Sequence, residues 1–161
     1  MAADELLLRQ APHSPQAEQA VLGSMLIDPD CIKDVMDKLQ PEDFYLRANR
    51  DIFETIYHMF VYSRPIDGVT VAGEMEKNGV YNDNTRDYLL QLMDVTPTSA
   101  NVMEYVQIVL DKSLMRQVAA AAGSITAMVQ EGTGTAGDML ESAEQRVYAC
   151  LLYTSPSPRD A

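Results

Sequence analysis

The sequence predicts an all-α protein: a compact multi-helix head over residues 12–95, then a long antiparallel helical hairpin over 96–150. Three observations lead there. Apolar residues recur at helical spacing along nearly the whole chain, and strand-like alternation is almost absent. Prolines, glycines and capping residues cut that pattern into helix-length pieces. From Ser99 the same spacing runs on for about thirty residues, roughly 45 Å of helix, which is more than a small head can cover.

The elements follow in order. Ser14 before Pro15 is an N-cap with proline at the first helical position. Behind it Ala17, Ala20, Val21, Met25 and Leu26 form one apolar face that ends near Asp28-Pro29. A short helix carries Ile32, Val35, Met36 and Leu39 and closes at Pro41. In "RANRDIFETIYHMFVYS" the residues Ile52, Phe53, Ile56, Tyr57 and Phe60 mark the strongest helix, which stops at Ser63-Arg64-Pro65. "VTVAGEMEKNG" ends at Gly79, a left-handed C-cap. "NTRDYLLQLMD" starts after Asn84 as cap and ends before the turn "TPTS". The hairpin's first helix holds Val102, Val106, Val109, Leu114, Val118, Ala121, Ile125 and Met128; after a glycine loop its partner holds Leu140, Ala143 and Val147.

That loop, "EGTGTAGDML", matches the dinucleotide fingerprint in form through Gly132, Gly134 and Gly137. A phosphate cradle needs a strand before the first glycine and an acid about twenty residues beyond for the ribose. Here a long helix precedes Gly132, and Asp138 would oppose a phosphate. Gly68 to Gly73 fails as a Walker loop, because Glu74-Met75 follows where lysine and a hydroxyl are needed. Gly132 therefore reads as a helix C-cap and the following glycines as a turn.

Composition restricts the function classes further. The chain is 47% hydrophobic and 22% charged, with a mean hydropathy of −0.15, as in ordinary globular domains. A net charge of −12 and a pI near 4.4 repel a phosphate backbone, so proteins are the expected partners and DNA is not gripped by this segment. No stretch is long and apolar enough for a membrane span, and the start lacks a signal peptide's basic region and apolar core. Two cysteines, Cys31 and Cys150, suit a reduced cytoplasmic setting better than a disulfide framework. His13, His58 and Cys31 lack the paired spacing of a zinc site. Asp28, Asp30, Glu42 and Asp43 flank prolines as helix-start acids, and Arg47 and Arg50 read as structural or surface ion-pair residues. No nucleophile and base converge, so no catalytic, cofactor-binding or metal-binding residue is assigned.

The last eleven residues, "LLYTSPSPRDA", depart from the pattern. Helical spacing stops, and Pro156 and Pro158 cannot continue a helix. The stretch resembles an adaptor-derived read-through, so 151–161 is expected to be non-native and residues 1–11 a flexible N-terminus.

Four stretches together resemble the N-terminal domain of DnaB-type bacterial replicative helicases. They are "PHSPQAEQAVLGSML" (Pro12–Leu26), "PEDFYLRANRDIFETI" (Pro41–Ile56), "RPIDGVTVAGEME" (Arg64–Glu76) and "TPTSANVMEYVQIVLDKSLMRQV" (Thr96–Val118), in the family's order and spacing. The resemblance covers all but the first ten residues and the tail. It implies a bacterial cytoplasmic protein whose full-length relatives are hexameric, ATP-driven DNA helicases. Their helical hairpins pair between subunits into a collar that supports assembly and helps to bind primase. A helicase loader is a further possible partner. ATP, magnesium and the main DNA contacts belong to a motor domain, and no Gly-Lys-Ser/Thr occurs in this chain. The resemblance makes Asp67, Val69 and Thr70 a helix start rather than a site. Val102, Tyr105, Val109, Leu114, Val118 and Ile125 are expected to pack within or between hairpins.

The first functional expectation is thus the collar of a replicative helicase, truncated before its motor. A stand-alone adaptor that occupies the interface of a helicase or primase is the alternative. A DNA-mimicking acidic surface ranks last, and its binding would collapse with salt.

Overall fold

The computed structural model describes residues 11–154. Apart from Ala11, the expected flexible N-terminus lies outside them, as does the tail from Ser155 onward. Among the described residues every regular element is helical: α1 (Pro15–Ile27), α2 (Ile32–Met36), α3 (Arg47–Val61), α4 (Gly68–Lys77), α5 (Thr85–Asp94), α6 (Val102–Glu131) and α7 (Ala136–Thr154), with short 3-10 turns at Pro29–Cys31 and Pro41–Asp43. Two compact units divide the chain: His13–Ser113, the head, and a second unit that joins the residues up to Pro12 with those from Leu114 onward and contains the hairpin.

Local chemistry accounts for most ends in the head. The Ser14 hydroxyl accepts from Ala17 N at 3.2 Å with Pro15 in the first helical position. Asp28 closes α1 through its N–H to Ser24 O and starts the next turn by accepting from Asp30 N. Helix α2 stops at Met36, earlier than expected, and Leu39 falls in the following turn. That turn stays tight because Leu39 N still reaches Val35 O at 2.9 Å, so Leu39 remains fully buried. Helix α3 ends in a Schellman motif, with Ser63 N to Phe60 O and Arg64 N to Met59 O; this places Ser63 at φ 55°. The same motif closes α4, through Gly79 N to Glu76 O and Val80 N to Met75 O, with Gly79 at φ 79°. Asp67 and Thr70 form a reciprocal capping box at the start of α4. Asn84 does not cap α5 through its side chain; Thr85 Oγ1 accepts from Asn82 N instead, and Asn82 Oδ1 accepts from Asn84 N.

The head core gathers Val21, Leu22 and Met25 of α1, Ile32 and Val35 of α2, Phe44, Ile52, Phe53, Ile56 and Met59, and Val71, Leu89 and Leu92. Phe44 and Phe53 meet as tilted rings 4.7 Å apart. Each such side chain contributes about 1.5–3 kcal/mol when fully buried. Helices α1 and α5 approach closely at Gly23, where a Cβ would lie 2.4 Å from the Leu92 carbonyl oxygen and 2.0 Å from Thr96 Oγ1.

Val102, Val106 and Val109 of α6 also belong to this core. The sequence boundary at residue 95 assigned them to the hairpin; the compact head extends to Ser113. The physical reason is that the apolar stripe of α6 changes partner along its length. Spacing shows which face of a helix is apolar, not what covers it.

The second unit is the hairpin. Gly132 ends α6 at φ 68°, its N–H bonding to Val129 O, and Gly134 follows at φ 90°. Thr135 and Asp138 then cap α7 reciprocally: Asp138 Oδ2 accepts from Thr135 N, and Thr135 Oγ1 accepts from Asp138 N. Gly137 lies inside α7 rather than in the turn. Helix α7 runs to Thr154, four residues past the expected end, and Leu151 belongs to it.

Candidate functional site

Two buried carboxylates organise the head before any surface can be presented. The Glu18 side chain, almost fully enclosed, accepts from Tyr45 N at 2.8 Å, Leu46 N at 3.4 Å and Asn49 Nδ2 at 2.9 Å. It therefore sits where α3 begins and satisfies backbone donors that no earlier turn can reach. Asn49 Oδ1 in turn accepts from the Tyr88 hydroxyl, and burial pushes that phenol's pKa up against the opposing effect of its hydrogen bonds with Gln19 and Asn49. Asp43 accepts from Gln40 N at 2.7 Å and from Ser113 Oγ at 2.8 Å, which fastens the middle of α6 to the turn ahead of α3. Asp28 similarly accepts from Ser99 Oγ at 2.6 Å, just before α6 starts. These acids hold backbone ends and neighbouring helices in place.

The remaining polar candidates are also structural. Arg50 donates to Phe44 O through Nε and Nη2, a carbonyl clasp rather than the expected ion pair. Arg64 pairs with Glu74 and holds its carboxyl below the usual range. His13 stacks on Tyr45, and His58 meets Tyr62 edge-on. Burial raises the Cys31 thiol to about 11, with Asp28 adding to the effect. Among the described residues no cluster of His, Cys, Asp and Glu could hold a metal ion, and no helix is long and apolar enough to cross a membrane.

The hairpin offers a different kind of surface. Val118, Ala121, Ala122 and Ile125 of α6 face Val147 and Cys150 of α7 around a cleft of about 120 Å³. Arg146 ties the two helices by donating to Ser124 Oγ. On α7, Leu140, Val147, Tyr148 and Leu151 form an open apolar face with Ala143 and Glu144; Leu140 is 73% exposed and Tyr148 58%. Met115, Val118 and Val129 of α6 are about half exposed as well. Among its described residues α7 buries none fully, and α6 buries none beyond Ser113.

The six residues expected to pack within or between hairpins thus separate into two groups. Val102 and Val109 are buried in the head, with Tyr105 exposed on the same stretch of α6. Val118 and Ile125 come together on the hairpin, and Leu114 is half-buried at its base. Sequence reasoning missed Tyr148 and Leu151. The spacing Leu140, Val147, Leu151 was available, but the change in composition after Cys150 broke the pattern by eye.

An all-helical head carrying a hairpin with an uncovered apolar face defines a class of helical domain, with no convergent set of reactive groups among the described residues. A family model for the DnaB-like helicase N terminal domain matches residues 10–111, and the chain belongs to that family. It is 32% identical over 142 residues to the replicative DNA helicase DnaB of Leifsonia xyli, covering 88% of this chain and 31% of that protein. With the DnaB of Mycobacterium leprae it shares 35% identity over 146 residues, covering 87% of this chain and 24% of the relative. The chain therefore spans about a quarter to a third of the length of these curated relatives. Among solved structures, the N-terminal domain of DnaB helicase from Mycobacterium tuberculosis superposes with a TM-score of 0.80 at 33% identity, covering 86% of this chain and 99% of that one. The corresponding domain from Helicobacter pylori, described together with its interactions with primase, shares the fold at a TM-score of 0.63 and 24% identity, covering 71% of this chain and 89% of that one.

Proposed function

We propose that this chain is the collar segment of a hexameric bacterial replicative helicase. Its hairpin joins neighbouring subunits into dimer units, and the assembled collar receives primase. The carrying observation is the open face of Leu140, Val147, Tyr148 and Leu151 on a helix with no fully buried residue among those described. Exposed apolar surface of this kind is covered by another subunit in stable proteins. ATP, magnesium and DNA contacts are assigned to the rest of the full-length protein, as is any contact with a loader. The short share of the relatives' length supports that division.

Light scattering tests the assembly. The chain is expected to be dimeric or larger at micromolar concentration, and Leu140→Glu with Tyr148→Glu is expected to be monomeric at unchanged helicity, because both residues are exposed on the open face and neither lines the cleft against α6. Equal mass for both proteins removes the hairpin face from the interface. Titration with the helicase-binding domain of a bacterial primase then tests the collar's second role. Sequencing the source gene beyond codon 150 separates this reading from a stand-alone adaptor: a frame reaching Gly-x-x-x-x-Gly-Lys-Ser/Thr supports the collar, and a native stop supports the adaptor.

A further inference from the structure

A second apolar surface lies on the head, apart from the hairpin and from the collar reading. Helices α4 and α5 line a groove of about 550 Å³ with Ala72, Gly73, Leu89 and Met93 among its residues. Val69 on one rim is 83% exposed and Leu90 on the other 51%.

The glycine on this lining has no internal explanation. Gly73 sits inside α4, where glycine weakens a helix, and its backbone needs no left-handed conformation. A Cβ there would meet nothing within 4 Å. Packing at Gly23 forbids a side chain, whereas at Gly73 packing leaves the space empty. What its absence does achieve is an open groove between two exposed apolar rims.

Charge selects the occupant. From Arg64 to Asp94 the chain has six acids (Asp67, Glu74, Glu76, Asp83, Asp87, Asp94) against three bases (Arg64, which pairs with Glu74, Lys77 and Arg86), a net of −3 within a chain of net −12. Asp67 and Glu76 line the groove itself against one base, Arg86. We propose that this groove docks an amphipathic helix of a partner protein, with its apolar face between Val69 and Leu90 and basic residues flanking that face. Apolar anchors supply the fit in such helix-in-groove contacts, and charge sets preference and encounter rate.

The test uses the full chain and a displayed library of peptides, each about 18 residues long, with apolar residues at helical spacing and random flanks. Selected binders are expected to be enriched in Lys and Arg. They should shift the NMR signals of Gly68, Gly73, Leu90 and Met93, and lose about tenfold or more in affinity for Gly73→Leu and for Leu90→Lys. Gly73→Leu fills the groove from a position without neighbours, so its melting temperature should be no lower than that of the parent; this separates blocked docking from misfolding. Binding should be the same for the monomeric hairpin variant Leu140→Glu/Tyr148→Glu, so failure of the collar reading leaves this result standing. Acidic or uncharged binders, shifts mapping to the hairpin, full affinity for Gly73→Leu, or no binders at all would each overturn the proposal. So would groove signals that move with protein concentration alone, because the occupant would then be a second copy of this chain.

Discussion

Replacing Gly23 by alanine adds one methyl group where two helices already touch. An added Cβ would lie 2.0 Å from Thr96 Oγ1, 2.4 Å from Leu92 O and 2.8 Å from Thr96 Cβ. The Thr96 hydroxyl is buried and donates to that same Leu92 oxygen at 2.8 Å, so it cannot simply rotate away. The carbonyl belongs to the backbone of α5 and moves only if α1 and α5 separate by about an ångström. On an open helix face Gly→Ala would gain up to about 1 kcal/mol. Overpacking a tight core costs about 1–3 kcal/mol, occasionally more, and an obstacle made of backbone belongs at the upper end. The net expectation is a loss of about 2 kcal/mol, roughly 8–16 °C in melting temperature for a head of this size. Circular dichroism at 222 nm with thermal and urea denaturation measures it. Thr96→Ala should rescue the variant only in part, since Leu92 O stays in place. The same change at Gly73, where nothing lies within 4 Å, should stabilise the head. A Gly23→Ala protein as stable as the parent would refute the close-approach argument.

Other perturbations probe other parts of the head. Glu18→Gln replaces one oxygen of a carboxylate whose two oxygens together accept from three donors and should cost about 1–3 kcal/mol, read by urea denaturation; an unchanged midpoint removes the buried clamp. Ser63→Gly relieves a non-glycine residue at φ 55° and should raise stability by several tenths to about 1 kcal/mol, after allowing for glycine's greater freedom when unfolded. Lower stability for that variant would mean that the Ser63 side chain is needed. For Arg64→Ala the sign follows from the depressed Glu74 carboxyl: the ion pair's contribution is present above the ordinary glutamate pKa and is lost as pH falls through the lowered folded value. Parent and variant melting temperatures should therefore differ near neutrality and converge in acid, and a gap that persists at pH 2 contradicts the pairing.

How much of this was legible depends on the range of the interaction. Ser14-Pro15 and Gly79 were readable because each acts within four residues of its own position, whereas the helix start at Asp67 and Thr70 came from the family resemblance. The apolar face of α3 was readable because Ile52, Phe53 and Ile56 obey one period. Leu39 and Asn84 show where local rules stop: a tight turn keeps the first buried outside its helix, and Asn82 with Thr85 displaces the second as cap. The burial of Val102 and Val109 in the head depends on contacts with residues far away in sequence, which periodicity does not contain. For the same reason the role of Gly23, set by Leu92 and Thr96, could not be read from "LGSML" alone.

Among the described residues the hairpin has no fully buried side chain, and this has a kinetic consequence. Its helical hydrogen bonds are held largely by surfaces that only assembly would dry, so an unassociated hairpin should open and close many times while the head stays intact. Amide hydrogen exchange along Ala136–Cys150 would then slow with protein concentration, while exchange at Ile52 or Phe53 would not. The chain would in effect report its own assembly, with the exchange rate of one helix acting as the counter.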